Sequence, residues 1–423
     1  MSDLQNVKKQ MEEILSEKII PFWLQRSIDK EYGGYLTSFD GDGEFDGVDV
    51  KYLVTQSRMV WGFANLISFG RSEDKEKMLE AAMQGAKFLI EKFWDQECGG
   101  FYWALNRDGS VKDPAKLVYG ESFAIYALSE FYLATKEMWA LEYAEKTFDL
   151  LQKYATDTLY GGYYENLEKS WEVSPSGPYA GERKSLDIHM HLMEAYTTLY
   201  LASGKEIHAR KLKEVGDLIV NKMINAEKGY GYNQFDNQFN SLPTINILRT
   251  WNAERETNEV VSEPLDTTSY GHNVELSWLG DLAFCTLGDI QYEYKNIWKQ
   301  LLEHSLRFGY DYEYGGVFRD GVADQEPVVM DKEWWQNFES LVGYSHGAVL
   351  FEEDKYLDAF YRTWDFVREK FLNLEVGESK QLLDRKGNSL VSNMGNPWKG
   401  IYHTGRALAE SIKRLDLLIK KEE

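Results

Sequence analysis

The chain has 423 residues, of which 43% are apolar and 14% aromatic, so it can bury a sizeable core. A formal net charge of −22 and a pI near 4.9 make its average surface repel phosphate backbones and anionic lipids. Nucleic acid and membranes are therefore poor partners, and a neutral small molecule is a better one. The acidic excess also serves plain solubility.

The first twenty residues and the two cysteines predict a reduced, cytoplasmic setting. The first twenty residues predict an amphipathic helix and lack the apolar core and cleavage site of an export signal. No apolar run reaches the roughly 18 residues that a membrane span needs. Cys98 and Cys285 are isolated, without the spacing of a zinc knuckle or a disulfide framework.

Glycine pairs flanked by aromatic residues recur along the chain, at first every 60 to 70 residues or so. They stand in the stretches 31–35, 97–101, 159–163 and 314–317, with a looser copy at 228–232. The stretch 382–387 is interpreted as a degenerate sixth copy. Glycine pairs allow positive φ and a tight return, so each stretch predicts a hairpin or loop.

Helical periodicity dominates between these marks, and the helices come in pairs. One set, each with an apolar stripe, is predicted at about 1–20, 78–93, 138–154, 206–223, 291–308 and 354–371. The other set is richer in aromatic and small residues, which indicates deeper burial, and is predicted at about 55–70, 118–136, 186–203, 272–287, 333–350 and 402–420.

One more buried helix in each pair predicts an all-α fold, a closed (α/α)6 barrel with six inner and six outer helices. We expect it to form a single catalytic domain over residues 1–423, with an open helical array as the weaker alternative. Two long polar segments, 165–184 and 233–271, are expected to be loops over the mouth of the barrel.

Polar and aromatic residues that look out of place cluster near the starts of the more buried helices. If these helices run parallel, their N-terminal ends meet at one mouth. The candidates are Arg58, Tyr119, Glu121, Asp187, His191, His272, Glu275, Trp334, Trp335, Glu339, Trp398, His403 and Arg406. In the stretch 185–196, Asp187 and His191 share a helical face, whereas His189 points elsewhere and is expected to pack.

Each candidate also has a purely structural interpretation. A lone histidine on an apolar helix is more often a hydrogen-bonded core residue than a catalyst. Glu275 could pair with a nearby basic group, and Arg58 could cap a neighbouring helix. The joint placement of the histidines at the starts of the buried helices favours function.

Together the candidates indicate proton transfer on a sugar. Imidazole exchanges protons near neutral pH, arginine stabilises a developing oxyanion, and tryptophan stacks on sugar rings. The sequence contains neither a phosphate-binding P-loop nor a dinucleotide-binding glycine motif. Three alternatives stay open: a metal site formed by His191, His272, Glu275 and His403; a glycoside hydrolase using Asp187, Glu275 and Glu339; and a barrel that binds glycans without turnover.

The motifs resemble the N-acylglucosamine 2-epimerase superfamily, which includes cellobiose 2-epimerases, mannose 2-epimerases and aldose–ketose isomerases on an (α/α)6 barrel. The resemblance covers essentially the whole chain. It rests on Gln56-Ser-Arg58, His189-Met-His191-Leu-x-Glu194-Ala, Gly271-His272-x-x-Glu275-x-x-Trp278-Leu, Lys332-x-Trp334-Trp335 and Trp398-Lys-x-x-Tyr402-His403-x-x-Arg406.

The resemblance implies roles for eleven of the candidates, with no cofactor and no metal. It implies that His272 and His403 flank C2, one removing and one delivering the proton, with His403 also opening the ring. His191 and Arg58 would polarise the O1 and O2 region, and Glu275 would orient His272. Substrate binding would fall to Tyr119, Asp187, Glu339 and a platform of Trp334, Trp335 and Trp398.

Two departures from the family pattern bear on the substrate. Asp187 stands where many of these epimerases have asparagine, and an ionised acid cannot donate hydrogen bonds. The stretch 334–339 reads Trp-Trp-Gln-Asn-Phe-Glu in place of W-W-x-Q-x-E. We therefore expect a free monosaccharide, mannose epimerised to glucose, with cellobiose or mannobiose as the first alternative and mannose–fructose isomerisation as the second. The sequence leaves monomer or homodimer open.

Overall fold

The barrel is built around six long helices whose faces are buried almost all round. The computed structural model describes residues 3–174, 183–242, 267–289 and 292–423. In that part of the chain the inner helices are α3 (Leu53–Asn65), α5 (Val118–Thr135), α7 (Leu186–Ser203), α9 (Tyr270–Thr286), α11 (Trp334–Phe351) and α13 (Ile401–Glu422).

The inner helices form a closed ring, because each packs on the next and α13 returns to pack on α3. Gly62 allows this closure, since a Cβ there would clash with the side chain of Ile401. Serine side chains begin two of these helices: Ser185 accepts from the N–H of Ile188 and Ser269 from that of His272, both at 3.3 Å. The fold is therefore an (α/α)6 barrel, as predicted, and not an open array.

The outer layer consists of amphipathic helices that end alike. They are α1 (Asp3–Ile14), which α2 (Ile20–Arg26) continues, then α4 (Lys75–Phe88), α6 (Met138–Leu150), α8 (Glu206–Leu218), α10 (Tyr292–His304) and α12 (Asp354–Phe366). A five-residue π-helical turn follows α1, α4, α6, α8, α10 and α12: Leu15–Ile19, Leu89–Phe93, Leu151–Ala155, Ile219–Met223, Ser305–Gly309 and Val367–Phe371. Hydrophobic periodicity did not reveal these turns.

Short antiparallel strands occupy the end of the barrel where the inner helices begin. One three-stranded sheet consists of β1 (Val50–Tyr52), β2 (Ala104–Asn106) and β3 (Val111–Asp113). A second consists of β10 (Thr267–Ser269), β11 (Asp320–Val322) and β12 (Pro327–Val329). A third consists of β13 (Lys332–Glu333), β16 (Leu382–Leu383) and β17 (Ser389–Val391). Two-stranded pairs join β4 (Lys116–Leu117) to β5 (Asn166–Leu167), β6 (Arg183–Ser185) to β9 (Gln234–Asp236), β7 (Ile224–Asn225) to β8 (Tyr230–Gly231), and β14 (Leu372–Asn373) to β15 (Glu378–Ser379).

The glycine marks form tight turns between outer and inner helices, as predicted. Both glycines of the pairs at 33–34, 99–100, 161–162 and 315–316 have positive φ. The sixth turn was misplaced, however: the backbone bond that closes each turn recurs between Gly377 and Asn373, at 2.7 Å. The stretch 382–387 belongs instead to the β16–β17 hairpin. The true sixth turn has a single glycine preceded by valine, and this pattern is too weak to be recognised as a copy of the glycine pairs.

A buried acid–lysine pair ties four of these turns to the next inner helix. The aspartate begins the turn and the lysine lies on the strand before the helix. The pairs are Asp29–Lys51, Asp95–Lys116, Asp157–Lys184 and Asp311–Lys332, with Oδ2–Nζ distances of 2.9, 3.0, 2.7 and 3.0 Å. In the fourth repeat Asn225 and Thr268 stand at these positions without charge. The pairs thus fix where the inner helices start.

A second repeated contact explains one of the candidate residues and the packing of His189. Near the start of an inner helix, one polar side chain accepts the backbone N–H that follows the glycine turn. These side chains are Gln56, Glu121, His189, Asn273 and Asn337, at 2.8, 2.8, 3.1, 2.8 and 2.9 Å. Glu121 is therefore part of the scaffold, and His189 packs there as the sequence predicted.

No helix within the described ranges combines the length and apolar character that crossing a bilayer requires. Parts of the two loops predicted over the mouth, residues 175–182 and 243–266, lie outside the described residues.

Candidate active site

The N-terminal ends of all six inner helices converge on one cavity, in which the space between atoms, together with its part open to solvent, is about 280 Å³. Its lining consists of Arg58, Tyr119, Asp187, His191, His272, Glu275, Trp334, Trp335, Trp398 and His403. Every one of these was a candidate from the sequence, and together they come from positions up to 345 residues apart (58 to 403). The parallel course of the inner helices is what brings them together.

His191 is held between two carboxylates. Its Nδ1 lies 2.9 Å from Oε2 of Glu194, and its Nε2 lies 3.2 Å from Oδ1 of Asp187. Burial alone would lower the pKa of His191, but the nearby carboxylates of Asp187 and Glu194 outweigh it and raise the pKa to about 9. His191 therefore carries a positive charge at neutral pH.

Asp187 also faces the second histidine of the cavity. Its Oδ1 lies 3.5 Å from Nε2 of His272 and, although buried, makes no hydrogen bond of good geometry. Burial would raise the pKa of Asp187, but the neighbouring His272 and His191 lower it to about 2. An ionised, unsatisfied oxygen between two imidazoles is suited to accept a hydroxyl group of a bound molecule.

His403 is the third histidine and has the opposite electrostatics. Its Nδ1 lies 2.8 Å from Oε1 of Glu339. That oxygen also accepts from Arg406, so His403 donates through Nδ1–H and its Nε2 keeps a lone pair. Burial and the nearby charges of Arg58 and Arg406 hold the pKa of His403 well below its usual range. A neutral imidazole of this kind is a general base.

Arg58 is a cation in an aromatic cage. Its Nη2 donates to Oη of Tyr119 at 3.0 Å and its Nη1 to the carbonyl of Trp398 at 3.1 Å. The guanidinium lies 4.4 Å from the ring centroid of Phe123 and 5.0 Å from that of Tyr402. Arg58 Nε is buried without a hydrogen-bond partner, so this charge can stabilise an anion in the cavity.

Beneath the cavity, the buried guanidinium of Arg406 contacts three carboxylates: Glu194, Glu275 and Glu339. The charge of Arg406 and the hydrogen bond between Glu194 and His191 overcome the effect of burial and lower the pKa of Glu194 to about 2. For Glu339, burial and the neighbouring Glu275 prevail over Arg406 and raise the pKa to about 8. The cluster gathers three acids around one fixed cation.

Two expected roles do not match these contacts. Glu275 was expected to orient His272, but its Oε1 accepts from Arg406 and its Oε2 has no hydrogen-bond partner. Glu339 was expected beside the substrate, but it is fully buried behind His403 and does not line the cavity. Both carboxylates turn toward Arg406 because it is the buried positive charge closest to them.

Comparison with known proteins decides the family. The family model for N-acylglucosamine 2-epimerase (GlcNAc 2-epimerase) matches residues 34–407. The chain belongs to the N-acylglucosamine 2-epimerase family. It is an enzyme, and its relatives are sugar 2-epimerases.

Two curated members of this family illustrate the range. The chain is 29% identical to the cellobiose 2-epimerase of Dictyoglomus turgidum, covering 98% of this chain and 100% of that protein. It is 24% identical to the N-acylglucosamine 2-epimerase of Bos taurus, covering 96% and 90%. The solved structure of the cellobiose 2-epimerase from Bacillus thermoamylovorans superposes with a TM-score of 0.85 at 25% identity, covering 97% of this chain and 100% of that one.

A metal ion does not fit this member of the family well. Ligand atoms of Glu275, Glu339 and His403 lie close enough together to hold one. Arg406 already donates to both carboxylates, so a second cation would be repelled from the same position. Among the described residues, the other such group is Asp95, Glu97 and Cys98, and there Asp95 is engaged by Lys116.

Further aromatic rings lie against the residues that line the cavity. Trp398 stacks on Tyr52 with ring centroids 4.7 Å apart, and Trp103 lies 5.7 Å from Trp398. Inside, the ring of Trp335 lies 4.7 Å from His272 and 5.7 Å from His403. Sequence reasoning did not single out Tyr52 and Trp103, because isolated aromatic residues are common in cores.

Proposed function

We propose that the protein interconverts D-mannose and D-glucose by removing the proton from C2 and returning it to the opposite face. The observation that carries this proposal is the pairing of His272 and His403, which line one cavity and lie against the same Trp335 ring. Two imidazoles beside one substrate carbon are what a change of configuration at that carbon requires.

The proton transfer proceeds on the open-chain sugar, which His403 generates by assisting ring opening. One imidazole takes the C2 proton, and the C–H electron pair becomes the C1=C2 double bond. The carbonyl oxygen O1 then carries the negative charge of a cis-enediolate. The other histidine, which enters this step as an imidazolium, gives its proton to C2 from the opposite side and becomes neutral, and the C=O bond at C1 forms again.

The charge on O1 is met by Arg58 and by the imidazolium of His191. Both line the cavity, and neither cation needs to form during the reaction, which favours stabilisation of the transition state. Tyr119 holds Arg58, and Asp187 offers its free oxygen to a sugar hydroxyl. Trp334, Trp335 and Trp398 supply apolar surface on which the sugar stacks.

The choice of a monosaccharide rests on Asp187. An ionised acid between His191 and His272 accepts hydrogen bonds but cannot donate one, unlike the asparagine that many of these epimerases carry there. This difference changes which hydroxyl pattern is recognised near the reacting carbon.

A disaccharide is the second candidate, with cellobiose or mannobiose as substrate. Two observations favour it: the relatives named cellobiose 2-epimerase, and the rings of Tyr52 and Trp103, which lie against Trp398 of the cavity and could contact a second sugar unit. A mannose–fructose isomerase would use the same enediolate but return the proton to C1.

The product profile tests these proposals. Purified protein is incubated separately with mannose, cellobiose and mannobiose, and the products are separated by chromatography. Glucose as the main product from mannose supports the proposal, epimerised disaccharide supports the second candidate, and fructose supports isomerisation. Sugar binding without any product from any of these sugars would contradict all three and favour a glycan-binding barrel.

A further inference from the structure

Two carboxylate–imidazole dyads lie on opposite sides of the buried Arg406. In one, Glu194 contacts Nδ1 of His191 at 2.9 Å, and in the other Glu339 contacts Nδ1 of His403 at 2.8 Å. Arg406 donates to both glutamates. The hydroxyl of Tyr402 adds bonds to both carboxylate oxygens of Glu194, at 2.8 and 2.9 Å.

We propose that Glu194, Glu339 and Arg406 are positioning residues of the epimerase: the two carboxylates hold the rings of His191 and His403, and Arg406 joins the two dyads into one unit. The proposal rests on the proposed function for the roles of the two histidines. None of the three residues lines the cavity, so each acts through another group.

The contacts of Arg406 leave negative charge uncompensated, because one guanidinium cannot neutralise all three surrounding acids. Arg406 supplies one positive charge to Glu194, Glu275 and Glu339, all of which are buried. The charge of His191 compensates Glu194 from the cavity side. The surplus negative charge then falls on the Glu275–Glu339 side, where each glutamate has an Oε2 without a hydrogen-bond partner. Glu275 and Glu339 are therefore the two acids that most easily share a proton.

The charged groups that surround His191 differ from those that surround His403. The charged and titratable groups that face His191 are Asp187 and Glu194 on its own helix, Tyr119 on α5, His272 on α9, and His403 on α13. The groups that face His403 are Glu339 on α11, Glu275 and His272 on α9, Arg58 on α3, Arg406 and Tyr402 on α13, and His191 on α7. Acids dominate around His191, whereas around His403 the charges of Arg58 and Arg406 stand beside the two acids and lower its pKa.

The unit therefore keeps the two histidines in opposite protonation states at neutral pH. His191 stays an imidazolium that meets the charge on the substrate oxygens. His403 stays a neutral base whose Nε2 faces the cavity, while Glu339 accepts the Nδ1–H and so holds the ring both before and after the C2 proton has been taken. Fixing both states in the free enzyme avoids reorganisation during the reaction.

The test is an NMR titration of protein labelled with ¹⁵N in its histidine rings, without substrate, so its outcome does not depend on which sugar the enzyme uses. Signals are assigned from His191→Gln and His403→Gln variants. In the wild type we expect His191 to titrate with a pKa of about 9, and His403 to stay neutral, protonated at Nδ1, at pH values where an ordinary histidine is charged.

Isosteric variants then separate the roles. Glu194→Gln should lower the pKa of His191 from about 9 toward the ordinary 6.5 while leaving His403 neutral. Glu339→Gln should keep the Nδ1–H tautomer of His403, because an amide oxygen still accepts, but should reduce kcat more than tenfold with little change in KM. Glu339→Leu removes the acceptor, so His403 should no longer be held as the Nδ1–H tautomer. If the tautomer is kept in Glu339→Gln but not in Glu339→Leu, the hydrogen bond positions the ring, and the volume of the side chain alone does not.

Glu121→Gln is the matched control. Glu121 is an equally buried acid near the start of an inner helix, but its bond goes to the backbone N–H of Phe101, and Gln56 occupies the equivalent position in the first repeat. This variant should leave both histidine titrations and kcat unchanged. The proposal is overturned if His191 titrates near 6.5 in the wild type, or if Glu194→Gln leaves its pKa at about 9. Normal titrations in a protein inactive on every sugar would overturn the proposed function and leave the unit standing.

Discussion

His189 accepts a hydrogen bond from the backbone N–H of Tyr163, with its Nε2 3.1 Å from that nitrogen. Its Nδ1 is bonded to the carbonyl of Ser185 at 2.8 Å, so both ring nitrogens are engaged away from the cavity. The imidazole does in the third repeat what the amides of Gln56 and Asn337 do in the first and fifth. Of the two histidines in the stretch 185–196, only His191 belongs to the candidate site.

His189→Gln should therefore retain full activity and nearly full stability. An amide supplies the same acceptor to Tyr163, whereas His189→Leu leaves that buried N–H unsatisfied and should cost about 1–3 kcal/mol. Urea unfolding measures the difference, and the epimerisation rate serves as the second readout. Loss of activity in a stably folded His189→Gln protein would show that this histidine has a catalytic role.

Two buried histidines contribute to stability with opposite dependence on pH, one on each side of pH 6.5. Burial lowers the pKa of His189 to about 4, so below 6.5 the unfolded chain binds a proton that the folded one does not, and stability falls by up to about 3 kcal/mol as the pH drops to 4. The pKa of His191 is raised to about 9, so its stabilising effect, complete below 6.5, is lost as the pH rises through 9.

The free energy of unfolding in urea at pH 5, 6.5 and 9 checks this dependence. His189→Gln should flatten the acid side, and His191→Gln should flatten the alkaline side. If each variant differed from the wild type by the same free energy at all three pH values, the assignment of both groups would be contradicted.

The buried pair Asp95–Lys116 should be more sensitive to the loss of one partner than to the loss of both. Lys116→Thr leaves Asp95 buried without its cation and should cost about 3–5 kcal/mol. The double variant Asp95→Asn/Lys116→Thr installs the uncharged residues that the fourth repeat has at Asn225 and Thr268, and should recover much of that loss. Unfolding curves of the two single variants and the double variant measure the coupling; simple additivity would contradict a structural ion pair.

Asp187→Asn should change substrate preference more than fold stability. The amide removes a negative charge 3.2 Å from His191 and 3.5 Å from His272, and it adds a donor near the sugar hydroxyls. We expect the ratio of kcat/KM for mannose to kcat/KM for cellobiose to fall about tenfold, equivalent to about 1.4 kcal/mol. Parallel kinetics on the two sugars measure this ratio, and an unchanged ratio would remove Asp187 as the determinant of substrate choice.

Much of the barrel and its cavity was predictable because both follow from periodic signals. Apolar stripes located the helices, and parallel inner helices bring Arg58, His272 and His403 to one mouth. That residues 1–423 form one domain stays a prediction. The π-helical turns were not predictable, because one extra residue in a turn leaves the hydrophobic pattern almost unchanged.

The partners of the buried acids were beyond sequence reasoning for a different reason. Glu275 and Glu339 could have faced substrate, histidine or arginine, and only the packing of α9, α11 and α13 shows that Arg406 lies between them. A signal was present in the sequence: Glu194 follows His191 by three residues and Arg406 follows His403 by three, so each shares a helical face with its histidine. That spacing predicts a contact but not which carboxylate turns to which cation.

The central claim is that His272 and His403 exchange the C2 proton of a reducing sugar. Replacing either with asparagine should abolish turnover and leave sugar binding, measured by calorimetry, largely intact. The most direct measurement is the reaction of mannose in heavy water with the wild-type enzyme, followed by NMR of the recovered sugars. We predict deuterium at C2 of the glucose product and none with His403→Asn. Full conversion to glucose without any deuterium at C2 would contradict the mechanism.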